Sequence, residues 1–256
     1  MKILTLNINS IRAHVESFID ILRAGEYDTI MVQELKVENS GFPHNLFDEY
    51  GYNVKVFGQK SWNGVATFSK YSIEDTTMGM PTYSDVNARF LECVVDGRVR
   101  LINVYMPNGD TISSPKFPYK LEWMAAFTKY IAQYTNSPEP VIIAGDFNVA
   151  LADIDVWKPA NYTDIAIAAP AARAAMQAWI DAGWTDVWRA LHPSDVGFTW
   201  FGYRGGDTVG KNMGLRLDYF LANPAAMALV KNCEIDMAPR MSAKPTDHCG
   251  LMLTLK

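Results

Sequence analysis

The chain has 256 residues, 49% of them apolar, with 23 basic against 28 acidic side chains and a formal net charge of −5. That is apolar mass enough for a full core, and the balance is too acidic for a protein that binds nucleic acid by bulk charge. No apolar run approaches the roughly 18 residues needed to cross a bilayer, so no membrane-spanning segment is expected.

In chain order, Ile3–Asn9 reads as a strand. A helix follows to about Ala24, with Ser10 as its N-cap, Val15, Phe18, Ile19 and Leu22 on one face, and Gly25 closing it. Asp28–Gln33 is a second buried strand. Short strands are expected at Tyr52–Phe57 and Val65–Ser69, and a hairpin pairs Arg89–Val95 with Val99–Tyr105 across Asp96-Gly97-Arg98. A long helix spans roughly Tyr119–Tyr134, with Leu121, Met124, Phe127 and Ile131 at helical spacing.

Val141–Asn148 then gives the clearest strand, because its β-branched apolar run suits burial on both faces. Asp153–Pro170 is aperiodic and reads as a surface excursion. Ala171–Ala182 is a helix, and Asp186–Leu191 is a further helical turn. Phe198–Phe201 and Leu215–Leu221 read as strands joined by the Gly-rich loop Gly202–Gly214. Pro224–Val230 is a short helix, and Cys233–Met237 and Leu251–Leu255 close the chain as strands. No repeat or long linker divides the sequence, so residues 1–256 are expected to form one domain. Three scattered cysteines, Cys93, Cys233 and Cys249, suit buried thiols in a reducing cytosol. The N-terminus lacks a cleavable signal pattern, which also points to the cytoplasm.

Chemistry gathers where the strands end: Asn7, Asn9, Glu34, Tyr105, Asn108, Asp146, Asn148, Asp218, Asp247 and His248. Strands of one architecture that all finish in carboxylate, amide, phenol or imidazole point to one shared crater. Oxygen-rich, sulfur-free groups suit a hard cation such as Mg²⁺ or Mn²⁺. Glu34 is the foremost ligand candidate. Cation, acids, amides, a tyrosine and a histidine together match the needs of phosphoester hydrolysis. Such a cation would also offset the acidic balance locally, and basic residues gather at Lys116, Lys120, Arg204, Lys211 and Arg216.

Eight blocks now carry a resemblance. They are Leu6-Asn7-Ile8-Asn9, Val32-Gln33-Glu34-Leu35-Lys36, Gly58-Gln59-Lys60, Asn103-Val104-Tyr105, Gly145-Asp146-Phe147-Asn148, Phe198-Thr199-Trp200-Phe201, Gly214-Leu215-Arg216-Leu217-Asp218-Tyr219 and Thr246-Asp247-His248. In this order, over nearly the whole chain, the sequence resembles the exonuclease III family of DNA-repair nucleases, within the Mg²⁺-dependent endonuclease, exonuclease and phosphatase superfamily. The resemblance implies an α/β fold, a four-layer α/β sandwich of two mixed sheets packed face to face with helices outside. It implies a monomer acting on double-stranded DNA with abasic sites or blocked or recessed 3′ ends, with Mg²⁺ as cofactor and Mn²⁺ as a substitute.

By that resemblance Glu34 holds the metal, with Asn7 in the same site and Asp247 as a second ligand or as acid for the leaving oxygen. Asp146 orients or deprotonates the attacking water, Asn148 and Tyr105 contact the phosphate, and Tyr105 does so as a phenol or a phenolate. Asp218 fixes His248, which stabilises developing charge. Lys36 supports Glu34. Asn108, Asn212 and Arg216 are assigned to DNA, and Trp200 and Phe201 to stacking beside an abasic sugar. The other histidines, His14, His44 and His192, and the tryptophans outside this set are read as structural, and Lys116 and Lys120 as a solvated face.

Departures from the family pattern are Ser10 in place of glycine, Leu35 in place of threonine, Thr246 in place of serine and Gly202 in place of aspartate. The apolar stretch Asn161–Ala172 borders the expected sugar pocket, where Ile165 or Ile167 would narrow it. Alternatives are a 3′-end-processing enzyme with weak abasic-site incision, a phospholipid or small-phosphoester hydrolase, and a non-catalytic DNA-binding module.

Overall fold

A computed structural model describes residues 1–256. The chain runs β1 (Lys2–Asn7), α1 (Val15–Ala24), β2 (Thr29–Gln33), β3 (Asn53–Phe57), β4 (Val65–Ser69), β5 (Ile73–Met78), β6 (Phe90–Val95), β7 (Val99–Tyr105), α2 (Lys116–Ile131) and β8 (Val141–Asp146). It continues through α3 (Pro170–Ala182), β9 (Thr185–Asp186), α4 (Val187–Leu191), β10 (Asp218–Ala222), α5 (Pro224–Met227), β11 (Val230–Asp236), α6 (Ala238–Met241) and β12 (Gly250–Leu255). No helix is long and apolar enough to cross a membrane.

The strands form two six-stranded sheets, ordered β11-β12-β1-β2-β4-β3 and β5-β6-β7-β8-β10-β9. Each is mixed, with one parallel pair at its centre, β1 with β2 and β7 with β8. Period-two alternation creates the layers. In β1, Ile3 enters the apolar layer between the sheets, while Leu4 and Leu6 face outward to Phe18 and Leu22 of α1. In β8, Ile142 and Ala144 enter the same inner layer, while Val141 and Ile143 face Trp123 and Phe127 of α2 and Trp179 of α3. The result is the expected four-layer α/β sandwich. Gln33 stitches the two sheets where the apolar layer gives way to polar groups, its Nε2 donating to Asn103 Oδ1 at 2.7 Å.

Several elements differ from expectation. The first helix starts at Val15 rather than directly after Ser10: Asn9 and Ser10 are left-handed at φ 49° and 96°, and the Ser10 hydroxyl caps a turn ahead of the helix, accepting from Ala13 N at 3.3 Å. β5 was not anticipated; it is a half-exposed edge strand whose Ile-Glu-Asp-Thr-Thr-Met lacks alternation. Phe198–Phe201 is no strand, since only Trp200 makes bridges, to Leu215 and to His248. The following strand begins at Asp218, three residues later than predicted. All three cysteines are buried and free.

Candidate active site

The two central parallel pairs finish at the same edge. Asn7 pairs with Gln33 at the end of β1 and β2, Tyr105 pairs with Asp146 at the end of β7 and β8, and antiparallel β10 starts there, with Asp218 opposite Asp146. Gly145 makes the last pairing possible. At φ 142°, a Cβ on it would lie 1.9 Å from the Val104 carbonyl oxygen, so only glycine lets β7 and β8 close this tightly. Beyond the strand ends the backbone turns left-handed at Asn9, Glu34, Lys36 and Asn148, which aims their side chains into the crater.

The sheets meet through Asn7. Its Nδ2 donates to Glu34 Oε1 at 2.7 Å and to Asp146 Oδ2 at 2.9 Å, while its Oδ1 accepts from Asn9 N. The amide nitrogen, not the oxygen, therefore faces the two carboxylates, and Asn7 bridges them rather than presenting an oxygen ligand. Lys36 Nζ lies 2.8 Å from Glu34 Oε2 and also donates to Asn9. Asp146 Oδ1 accepts from Asn148 N at 2.8 Å, and Asn108 Nδ2 donates to Asn148 Oδ1 at 2.8 Å.

His248 stands between two acids. Its Nδ1 is 2.9 Å from Asp218 Oδ2 and its Nε2 is 3.8 Å from Asp146 Oδ2. Burial works against an imidazolium here, but the charge and hydrogen bond of Asp218, followed by the charge of Asp146, outweigh it and raise His248 to about 10. For Asp146, burial raises the carboxyl, the His248 charge opposes the rise, and Asp218 and Glu34 add to it. The second oxygen of Asp218, Oδ1, is buried without a partner. For Tyr105 the sequence leaves both a phenol and a phenolate open. Burial, then the charges of Glu34 and Asp146, push its phenol well above the ordinary value, so it stands here as a neutral hydroxyl and not as a phenolate.

Other assignments also change. Asp247 lines the same crater but is not among the clustered Glu34, Asp146 and His248, and its two oxygens accept from Asn9 Nδ2 and Trp200 Nε1, each at 3.0 Å. Arg216 is 1% exposed and cannot reach DNA; its guanidinium is bound by Asp155 and Asp186 at 2.7 to 3.1 Å. Phe201 is buried against Phe198 and Cys249 and is not free to stack on a sugar. Trp200 does line the crater, whereas Asn212 sits exposed on the loop before Gly214, outside that lining. Lys120, expected in solvent, is fully buried.

Two adjoining cavities share Tyr105 and Asn108. One, of about 390 Å³, contains Glu34, Asp146 and His248 and has an apolar wall of Ile165, Ile167, Trp200, Leu215 and Leu217. The other, of about 720 Å³, is lined by Gln59, Trp62, Asn63, Asn87, Arg89 and Lys116. Sequence reasoning missed this second groove. Trp62 was read as packing, yet it is 69% exposed, and Ser61 and Asn63 on either side of it are left-handed. An aromatic residue set among turn residues was the signal. Arg89 was passed over as a strand opener; its guanidinium lies 4.9 Å over the Tyr105 ring.

Glu34, Asp146 and His248 each offer a ligand atom within 4.8 Å of the others. With His248 protonated between its two acids, the remaining donors are carboxylate oxygens, which fit a hard divalent cation. The buried, acid-rich edge is itself a case for one, since Glu34, Asp146 and Asp218 outnumber the nearby Lys36 and His248.

Comparison with known proteins agrees with this geometry. The sequence profile of the Endonuclease/Exonuclease/phosphatase family matches residues 4–248. Exodeoxyribonuclease III of Haemophilus influenzae is 30% identical over 268 residues, covering 100% of both chains. Among solved structures, an AP endonuclease from Archaeoglobus fulgidus superposes with a TM-score of 0.96 at 33% identity, covering 100% of this chain and 99% of that one. The 3′ phosphatase NExo from Neisseria, bound to a product DNA hairpin, gives 0.95 at 34% identity with the same coverage.

Proposed function

The chain belongs to the endonuclease/exonuclease/phosphatase family, in its exonuclease III branch, and from that premise we propose a metal-dependent DNA-repair nuclease acting as one catalytic domain. Its substrates are duplex DNA with abasic sites, blocked 3′ ends or recessed 3′ ends. The observation that carries this reading is the junction of both sheets at Glu34, Asp146 and His248, with Asp218 behind the imidazole.

Glu34, supported by Lys36, would hold Mg²⁺, or Mn²⁺ in its place, beside Asp146. The cation supplies charge neutralisation at the scissile phosphate. Asp146, raised by burial among acids, takes the proton of the attacking water as its oxygen bonds to phosphorus and the P–O3′ bond breaks, its electron pair leaving on O3′, which takes a proton from solvent. His248, held cationic by Asp218, faces the charge that develops on the phosphoryl oxygens. Asn108 and neutral Tyr105 donate to the same phosphate, and Asn148, whose Nδ2 donates to Met106 O and Asp146 Oδ2 in the free protein, would turn one of these donors to it. Asp247 accepts from Asn9 Nδ2 and Trp200 Nε1, so we assign it to holding both in place. The groove of Trp62, Arg89 and Lys116 is the path assigned to the DNA strand beyond the crater. We place the enzyme in the cytoplasm, as a monomer.

A second reading keeps the 3′-end activities but weakens abasic-site incision. It is favoured by Ile165 and Ile167, which give the crater an apolar wall where an extruded sugar would sit. The similarity to an AP endonuclease and to a 3′ phosphatase is nearly equal, so the wall is what separates the two readings. Three labelled duplexes test both: one with an internal abasic analogue, one with a 3′-phosphate nick, one with a recessed 3′ end, each with Mg²⁺ and with EDTA. Cleavage of all three supports the first reading, and cleavage of the last two alone selects the second. No cleavage of any, with EDTA making no difference, ends both.

A further inference from the structure

Lys120, on α2, is fully buried, and no carboxylate makes an ion pair with it. Its Nζ instead donates to three main-chain carbonyls: Asn148 at 2.7 Å, Pro107 at 2.9 Å and Asn108 at 3.3 Å. An ammonium has three N–H bonds and here meets three acceptors, which is what a charge so deeply buried requires. Burial still pulls it down to about 7, with the charge of Asp146 opposing that and Arg89 adding to it.

The three carbonyls do not belong to one segment. Pro107 and Asn108 follow β7, and Asn148 follows β8. The last ladder pair between those strands is Tyr105 with Asp146. Past it, the loops are tied by Met106 N donating to Asp146 O and by Asn148 Nδ2 donating to Met106 O at 3.0 Å, and Lys120 is the side chain from outside both loops that bonds the main chain of each. The fit is close. Gly109, left-handed at φ 87°, leaves room for the lysine stem, since a Cβ there would lie 2.8 Å from Lys120 Cδ. Asn148 is itself left-handed at φ 50°, a conformation that needs outside support.

We propose that Lys120 is a positioning residue whose Nζ ties the two loops together and so sets where the Asn108 and Asn148 amides meet the scissile phosphate. The inference rests on the nuclease reading above, in which those amides contact the phosphate. It explains why a charged residue sits in the apolar surroundings of α2, and why Asn108 Nδ2 can reach Asn148 Oδ1 at 2.8 Å across two separate loops.

The test replaces Lys120 by methionine, of similar length but without donors. Misplacing a phosphate contact by an ångström costs on the order of 100-fold, so kcat should fall by about that factor on whichever duplex the wild type cleaves. KM should stay within about threefold, since the groove residues are untouched. Mn²⁺ affinity, read by paramagnetic titration, should be unchanged, because Glu34 and Asp146 keep their own partners. In an Asn148→Ala background the same substitution should lower kcat by a smaller factor than in the wild type, because one of the two amides it positions is gone.

Lys120→Gln, which keeps amide donors at similar reach, should retain more activity than Lys120→Met; it also carries the test if the methionine variant does not fold. A folded Lys120→Met variant with kcat within about threefold of wild type would overturn the proposal, and, if that variant does not fold, a Lys120→Gln variant whose loss lies in KM rather than kcat would do so. So would an undiminished loss in the Asn148→Ala background, which would place the effect elsewhere, for example through the charge felt by Asp146. A wild-type protein that cleaves none of the duplexes refutes the nuclease reading first, so the two failures are distinguishable.

Discussion

Replacing Arg216 by methionine separates a DNA-contacting arginine from a structural one. In the structure its guanidinium donates to Asp155 through Nε at 2.8 Å and Nη2 at 3.1 Å, and to Asp186 through Nη1 at 2.7 Å. Asp155 also accepts from Arg189 and from the Ala152 amide. Burial would raise the Asp155 carboxyl, but the charge and hydrogen bonds of Arg216 prevail and hold it below its ordinary value. Removing Arg216 leaves two buried carboxylates, one of them with no other cation against it. Losing one partner of such a pair costs about 4 kcal/mol. At 2 to 4 °C per kcal/mol for a chain of this size, the melting temperature should drop by about 12 °C. The deficit should shrink on acidification. Asp155 has a depressed folded-state pKa, so its contribution is present above the ordinary carboxylate range and is lost as pH falls through the folded value. Calorimetry measures the first quantity, and DNA affinity at several salt concentrations measures the second. A phosphate-contacting arginine lowers the slope of log affinity against log salt by roughly 0.9 when removed, and a structural one leaves it unchanged. A reduced slope with an intact melting temperature would refute the assignment.

Four further outcomes are expected. Asp146→Asn should reduce turnover by about 10³-fold while DNA affinity stays near wild type, because the base is lost and the binding groups remain; near wild-type cleavage would show that another group takes the proton. Trp62→Ala should raise KM by about tenfold, the loss of one stacked base, with kcat held; an unchanged KM would take the DNA path off that groove. Ile165→Ala opens the apolar wall and should raise abasic-site incision relative to 3′-end processing by about tenfold, read on the two corresponding duplexes. Lys120 carries a pH signature in stability. Its folded-state pKa, about 7, lies below its ordinary value, so between those values the unfolded chain binds the extra proton. Stability should rise with pH there, by about 1 kcal/mol per unit, relative to Lys120→Met in urea unfolding; parallel curves for the two proteins would show that the lysine titrates normally.

What the sequence made legible follows from where its information is local. Strands with one buried face announce themselves by apolar residues, and a polar residue at the strand's end is informative because the apolar run stops there. Asn7, Glu34, Tyr105 and Asp146 stand out in this way, Asp218 as an acid inside an apolar run that needs a partner, and the topology then brings them to one edge. The residues that were misread have partners far away in sequence. Arg216 lies 61 residues from Asp155 and 30 from Asp186, so Leu-Arg-Leu-Asp alone shows a charge beside apolar neighbours and not the acids that neutralise it. Lys120 follows Lys116 by one helical turn, the spacing of a solvated stripe. Only α2 packing beneath the loops after β7 and β8 buries one and leaves the other exposed.

The same reasoning explains the turn at Ser10. Family resemblance flagged it as a serine where glycine is usual, but the flag acquires physical content only from φ 96° at a non-glycine residue. That geometry is imposed from both ends, by Ser10 N donating to Glu34 O at 2.8 Å and by Asn9 N donating to Asn7 Oδ1 at 3.0 Å. The backbone after β1 is bent to meet the backbone after β2, and the bend holds Asn9 against Asp247 and Lys36. Strain at this position is therefore part of the crater's construction, tolerated because the hydrogen bonds that cause it also fix Glu34.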